Sequence, residues 1–391
     1  MILNWEAMMT RWVNILLILL FGIGLISCVE EYWPNITKYE NLLVVDGLLT
    51  NGGDTTVVNL SKSSSINNSK LLPLTGAEVY ITDNSGIITQ LDEMEIGSYK
   101  VSGNDFTGVA GNSYQLHITL PNGNMYESDL CILQEPSPID SVYALIDSHE
   151  VANVSYPQVG LQFYIDNHGN NEDTINYLWR LTQTYKYRAS FTLDYYWIGR
   201  MVTVSDPDSL RTCWRTKPVY DIFTYSTRYI DNSVIIKYPL NFVSTETKML
   251  SMRYSLFVEQ LTVSNRAYLF WDALRQQNIS RDNLYSQQPV QIRGNIRNVL
   301  NEDEVVLGYF TVAGITNKRI FVNRPYSLAF HYYNCEPDFE AMKMIGASSE
   351  LDWPVYVTDV FGEGLAQAGS DVCFDCRLEG GSLTPPDFWE E

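Results

Sequence analysis

Short runs of alternating apolar and polar residues, each closed by a turn signal, recur through the first third of this chain. They cover residues 42–49, 55–61, 77–82, 87–91, 97–101, 113–120 and 124–128. Between them stand Asn51-Gly52-Gly53-Asp54, Asp83-Asn84-Ser85-Gly86 and Pro121-Asn122-Gly123. A period of two puts one side of each run into a core and the other into water, which a strand achieves and a helix does not. Ala77, Val79 and Ile81 alternate with Glu78, Tyr80 and Thr82, and Tyr114, Leu116 and Ile118 share one face. About seven strands in roughly 90 residues is the count of a small two-sheet sandwich. Tyr114, at the start of its strand, can turn its hydroxyl back to the preceding corner.

The remainder predicts a second, larger β domain. Ser137-Pro138-Ile139-Asp140 marks a hinge, and longer, more aromatic strands are expected at 159–165, 177–187, 191–198, 219–227, 234–239 and 248–261. Further strands of the same domain are expected at 290–292, 294–296, 305–310 and 319–322. One helix interrupts the pattern: Ser264 is a fitting N-cap, and Ala267, Phe270, Trp271 and Leu274 fall at i, i+3, i+4 and i+7. Such a stripe belongs to core packing before it belongs to a binding surface. A short helix is expected around 337–344. The expected architecture is mainly β: an immunoglobulin-like or transthyretin-like sandwich over 42–136, then a larger β-sandwich over 137–345 with a helix at 264–278. An irregular C-terminal tail over 346–391 completes it.

Ahead of the first strand, residues 13–26 are almost wholly apolar and follow Arg11. A bilayer span needs roughly 20 apolar residues, so this shorter run predicts a cleaved signal peptide over 1–27. Leu25-Ile26-Ser27-Cys28 resembles the bacterial lipobox, which makes Cys28 the expected lipidation site and 28–41 a lipidated tether. Two or three acyl chains form a lasting anchor. Glu30-Glu31 is either an acidic surface-export signal or simply a solvated part of that tether.

The formal charge of -20 repels phosphate backbones, and no long Lys/Arg cluster interrupts it, so no nucleic-acid partner is expected. Chemistry is equally scarce. His117, His149, His168 and His331 are scattered, and neither a His-Glu-x-x-His nor a Gly-x-Ser-x-Gly motif occurs in the mature chain. The sequence therefore predicts no enzyme, no catalytic residues, no cofactor and no metal. Paired carboxylates of the glycosidase kind are invisible to sequence spacing, and such a hydrolase would need a cleft with two carboxyls about 5 to 10 Å apart. The oxygen-rich loop 166–173 offers calcium ligands without the EF-hand spacing and reads better as a solvated connection. With Cys28 acylated, Cys131, Cys213, Cys335, Cys373 and Cys376 remain. Cys373-x-x-Cys376 lacks a second ligand pair for zinc and is expected to fasten the tail by a disulfide, with Cys335 as the candidate partner. Aromatic clusters at 185–187, 195–197 and 220–229 suit sugar stacking, protein interfaces or ordinary cores.

A set of segments in fixed order supplies a resemblance. They are Val44-Val45-Asp46-Gly47 with Thr50-Asn51, Pro73-x-x-Gly76-Ala77-x-Val79, Gly97-x-Tyr99 and Ile139-Asp140-Ser141-Val142. Gly294-Asn295-Ile296-x-Asn298, Gly308-Tyr309-Phe310 and the closing Cys373-x-Asp375-Cys376, Gly380-Gly381 and Pro386-x-Phe388-Trp389 follow. Together with the lipobox, this order resembles the DUF4249 family of Bacteroidota outer-membrane lipoproteins. The resemblance implies a lipid-anchored, surface-exposed protein working as an accessory or ligand-capture subunit of a TonB-dependent receptor, with a peptide or glycan ligand. It supplies no catalytic residue. A carbohydrate-binding or adhesive surface lipoprotein without a receptor is the alternative expectation.

Overall fold

The structure, a computed structural model, describes residues 42–63, 72–151, 154–169, 174–230, 233–281 and 292–390. The expected signal peptide, Cys28 and the tether lie outside the described residues, as do parts of the 166–173 loop and of the expected 290–292 strand. Nine strands open the chain: β1 (Leu43–Thr50), β2 (Thr56–Lys62), β3 (Leu72–Pro73), β4 (Glu78–Asp83), β5 (Ile88–Glu95), β6 (Ser98–Val101), β7 (Ser113–Thr119), β8 (Met125–Ser128) and β9 (Cys131–Ile132). β5 pairs with β4 along its first half and with β6 along its second. Inward side chains of β1, β2 and β6 meet those of β4, β7 and β8 in one core, which includes Val45, Val58, Tyr99, Val79, Leu116 and Tyr126. Two tyrosine hydroxyls tie its loops. Tyr114 accepts the Val109 N–H at 2.7 Å, and Tyr99 accepts from Ala77 while donating to the Leu74 carbonyl.

The second half contributes β10 (Ser141–His149), β11 (Gln158–His168), β12 (Asn176–Arg188), β13 (Tyr195–Trp197), β14 (Met201–Thr203), β15 (Thr212–Ser226), β16 (Val234–Ser244) and β17 (Arg253–Val263). Helix α1 (Asn265–Arg281), β18 (Ile296–Asn298), β19 (Leu307–Asn323), α2 (Phe339–Lys343), β20 (Val355–Val360) and β21 (Gly364–Ala366) follow. The three-stranded sheet β10-β11-β16 shares a core with strands of the larger sheet, where Phe163 and Ile165 meet Trp179, Leu181, Tyr254 and Val258. Fully buried Gln260 organises its polar part. Its carbonyl accepts from Trp179 Nε1 and Asn167 Nδ2, and its amide donates to the Ser137 carbonyl, so the hinge is strapped to β17.

The two sandwiches share β19. Its first half runs parallel to β1, the one parallel pairing among the described residues, and its second half runs antiparallel to β17. Strand alternation explains the double use. Phe310 and Val312 point into the first core, Ile320 and Val322 pack against the second, and odd-numbered residues such as Tyr309, Ala313 and Ile315 face outward. Between the two stretches sits Gly314, where a Cβ would lie 2.3 Å from the Gln134 carbonyl oxygen and 2.6 Å from Pro136 N. The linker between the sandwiches crosses β19 at Gly314, where no side chain blocks its backbone. Just upstream, Gly308 adopts φ +91 with Val45 and Gly294 backbone against it. Asn295 then acts as a missing strand: its Oδ1 accepts the Phe310 N–H at 2.9 Å and its Nδ2 donates to the Phe310 carbonyl at 3.0 Å.

Three expectations change. The boundary at 137–345 does not hold for the returning chain, because β18 pairs with β8 and the start of β19 with β1, both in the first sandwich. The segments 305–310 and 319–322 are one continuous strand. Non-local pairing decides both points, and local alternation does not report it. The 346–391 tail is also not uniformly irregular, since β20 and β21 join β13 and β14 in a four-stranded sheet. Strand β20 pairs with the Tyr195-Tyr196-Trp197 run, some 160 residues earlier in the chain.

Replacing Asn295 with Ala leaves the buried Phe310 N–H without its side-chain partner and its carbonyl with only the weak Cys131 thiol contact, and should cost about 2 to 4 kcal/mol in urea unfolding. Gly314→Ala should cost about 1 to 3 kcal/mol, because the obstacle is linker backbone and no side chain can swing aside.

Candidate ligand-binding groove

The outward face of the large sheet carries the site. Outward positions are Leu178, Arg180 and Thr182 on β12, Phe257, Glu259 and Leu261 on β17, Thr311, Ile315 and Asn317 on β19, and Asp46 and Leu48 on β1. Helix α1 covers one end. Ser264 caps it, its hydroxyl accepting the Ala267 N–H, and Ala267, Phe270, Trp271 and Leu274 pack on Leu178, Leu261, Tyr309 and Ala313. The Trp271 indole N–H donates to Thr311 Oγ1 at 3.2 Å. The stripe read from sequence is thus core packing, with Trp271 also lining the groove. Beyond Phe257, the Arg319 guanidinium lies between two rings, 4.5 Å from the centre of Phe257 and 3.6 Å from that of Phe388. Such stacking uses the weak hydration of the guanidinium. It holds the chain's end on this face, where Trp389 packs edge-on to Phe321 and Trp214.

An open groove of about 680 Å³ remains on the sheet between these covers, with the loop carrying Asp54 and Thr55 and the β15 stretch from Pro218 to Ile222 also lining it. Its floor charge is Glu259, whose side chain is 20% exposed. Arg180 stands directly opposite on β12, but its Nε lies 3.9 Å from the carboxylate, too far for a hydrogen bond. Burial pushes the Glu259 acid above the usual carboxylate range; Arg180 opposes this and Asp54 adds to it. Asp46, Asp54 and Asp221 have no hydrogen-bond or ion-pair partner among the described residues. Tyr220, 86% exposed, stands at the rim.

Other candidate features have local employment. Cys335 is bonded to Cys373 and Cys376 to Cys213, which fastens the tail at two points. Trp214 and Ser382 exchange both backbone hydrogen bonds beyond the second disulfide. Asp375 is buried, which raises its acid, but a two-pronged contact from Arg377 outweighs this and holds it below the carboxylate range. Cys131 stays a thiol, pushed up to about 11 by burial against the pull of the Asn295 amide. In the oxygen-rich loop, read as a solvated connection, Asp166 is occupied by Ser141, Tyr143 and the Lys237 N–H, and residues 170–173 are outside the described set. No group of three or more His, Cys, Asp or Glu suited to a metal occurs among the described residues. The histidines serve separate contacts: His117 stacks on Tyr80, His149 stacks on Phe242, His168 meets Asp140, and the His331 N–H donates to Thr245. Of the aromatic clusters, Tyr185 and Tyr187 are core, residues 195–197 are half-buried, and Tyr220 and Tyr229 are exposed.

A second cavity of about 590 Å³ lies beside Cys335–Cys373, with Glu336, Asp338 and Glu340 in its wall. Its wall is tail and loop, whereas the groove has a floor of paired strands from both sandwiches. Sequence reading passed over Arg180 and Glu259. The available signal was a charge next to large apolar residues in each of two strands, Leu178-Trp179-Arg180-Leu181 and Phe257-Val258-Glu259.

Glu259→Gln should raise the melting temperature at pH 7 by about 2 to 4 °C. An acid whose folded value lies above its unfolded one is neutral in both states well below the ordinary carboxylate value of 4.5. Its penalty grows as pH rises through and beyond that value. The gain should therefore vanish near the acid end of a pH series of thermal melts.

Among curated proteins none matches the chain. Residues 29–319 match the family model described as a domain of unknown function, DUF4249, and the chain belongs to that family.

Proposed function

We propose that this protein is a lipid-anchored outer-membrane lipoprotein that holds a ligand in its groove and docks on a TonB-dependent receptor as an accessory, ligand-capture subunit. The observation that carries the reading is the groove of about 680 Å³ on the face of a sheet common to both sandwiches. Concave sites of several hundred cubic ångströms with an apolar floor and a few placed polar groups suit small-ligand binding. Its lining contains no His, Ser, Cys or Lys, so it offers no Ser-His or Cys-His pair. The lipobox at Cys28 supplies the anchor, and a tether of about a dozen residues gives the body reach beside a membrane partner.

Exposed Tyr220 and half-buried Trp271 favour a second reading, a carbohydrate-binding surface lipoprotein acting without a receptor. A hydrolase is the third, since Glu259 and Asp54 line the same groove; chromophore release from aryl glycosides, lost in Glu259→Gln, would favour it.

Affinity purification of the full chain from detergent-solubilised membranes should recover a TonB-dependent β-barrel receptor. Cys28→Ala should shift the protein out of the membrane fraction and lower that recovery. Repeated recovery of the lipoprotein alone, with glycan-array binding by the same preparation, would move the assignment to the second reading.

A further inference from the structure

The groove is unbalanced in charge. Asp46, Asp54, Asp221 and Glu259 line it against a single cation, Arg180. Three of the four acids have no partner among the described residues, and the fourth faces Arg180 across 3.9 Å. Arg180 is itself half exposed on a long stem and makes no other described contact, so it can move aside without breaking a network. The floor between these charges is apolar, from Leu178 to Leu261 and Ile315. A carboxylate four-fifths buried without a hydrogen bond lacks the compensation that buried charges normally carry. A cation delivered by a ligand supplies it, while apolar groups on the same ligand cover the floor. Neutral sugars offer no such cation, and an anionic ligand would meet the like charge of four acids.

We propose that the groove selects short basic peptides, in which Lys or Arg side chains reach Glu259 and Asp54 while an aromatic or aliphatic side chain lies on the floor beside Trp271. This inference rests on the ligand-capture reading and specifies its ligand. Asn59, Thr182 and Asn317 at the groove wall are placed to meet peptide N–H and carbonyl groups.

The probe is a fluorescein-labelled Lys-Phe-Lys-Leu-Lys pentapeptide, compared by anisotropy with Glu-Phe-Glu-Leu-Glu and Ser-Phe-Ser-Leu-Ser on the full lipoprotein in neutral detergent micelles. The basic peptide should bind at least about tenfold more tightly than the neutral one, and the acidic one should not bind. The double variant Glu259→Gln, Asp54→Asn should lose about tenfold or more. Because the whole chain carries -20, a control with the same charge change is needed. Glu336→Gln with Glu340→Gln, in the separate cavity by the tail, should stay within about twofold, as diffuse surface charge is screened beyond about 10 Å at moderate salt. Equal losses in both double variants, or equal binding of the neutral peptide, would overturn the proposal. So would failure of all three peptides to bind. A neutral oligosaccharide that binds and is lost in Tyr220→Ala would overturn basic selectivity while leaving ligand capture intact, and the receptor recovery experiment reads docking independently of any peptide.

Discussion

Strand β19 does the work of two elements, and the rest of the molecule depends on that. The inward side of its first half closes the first core through Phe310 and Val312, and the inward side of its second half packs on the other core through Ile320 and Val322. Because side chains alternate, the opposite side forms one continuous sheet face from β15 to β2, covered in part by α1 and by the chain's end. The junction is held by backbone contacts at Gly294, Gly308 and Gly314 and by the paired hydrogen bonds of Asn295 to Phe310. Bulk at any of the three glycines would push apart main chains that no rotamer change can relieve. Two sandwiches joined only by a flexible linker could not offer a common floor.

This arrangement gives a physical account of the segments that carry the family resemblance. Gly97-x-Tyr99, Gly294-Asn295-Ile296-x-Asn298 and Gly308-Tyr309-Phe310 are ties within and between the cores: Tyr99 binds the loop at Leu74 and Ala77, and Asn298 secures the turn at Leu300 and Asn301. The closing segment is likewise mechanical. Cys376 and the Tyr187 hydroxyl on its carbonyl fix the segment to the second core, Cys373 is tied to Cys335, and the Phe388 ring on Arg319 holds the chain's end against the outer face. Of the quoted segments, only Val44-Val45-Asp46-Gly47 and its following threonine also reach the groove lining. Family membership therefore follows from what stabilises the scaffold, and the groove charges Arg180, Asp221 and Glu259 lie outside the quoted segments.

Catalysis is often sought in buried charge, and burial opposes the ionisation of Glu259. If the groove takes a basic ligand as proposed, the arriving cation supplies the compensation that Glu259 lacks. The cost in the free protein is modest because Arg180 and solvent each screen part of it. A stability penalty relieved by ligand is common where a binding surface is kept open.

The sequence by itself determined the mainly β character, most strand positions in both halves, the Ser264-capped helix and the Tyr114 corner, because period-two alternation and turn chemistry are local. It also offered the pairing of Cys335 with the Cys373-x-x-Cys376 segment. Only tertiary structure decided that 305–310 and 319–322 are one strand with two owners, that β18 returns to the first sandwich, and that β20 pairs with an aromatic run far upstream. It also placed Asp46, Asp54, Arg180, Asp221 and Glu259 in one groove. Those residues come from four strands and a loop spread over more than half the chain, and their proximity is set by strand order and register, which no local pattern encodes.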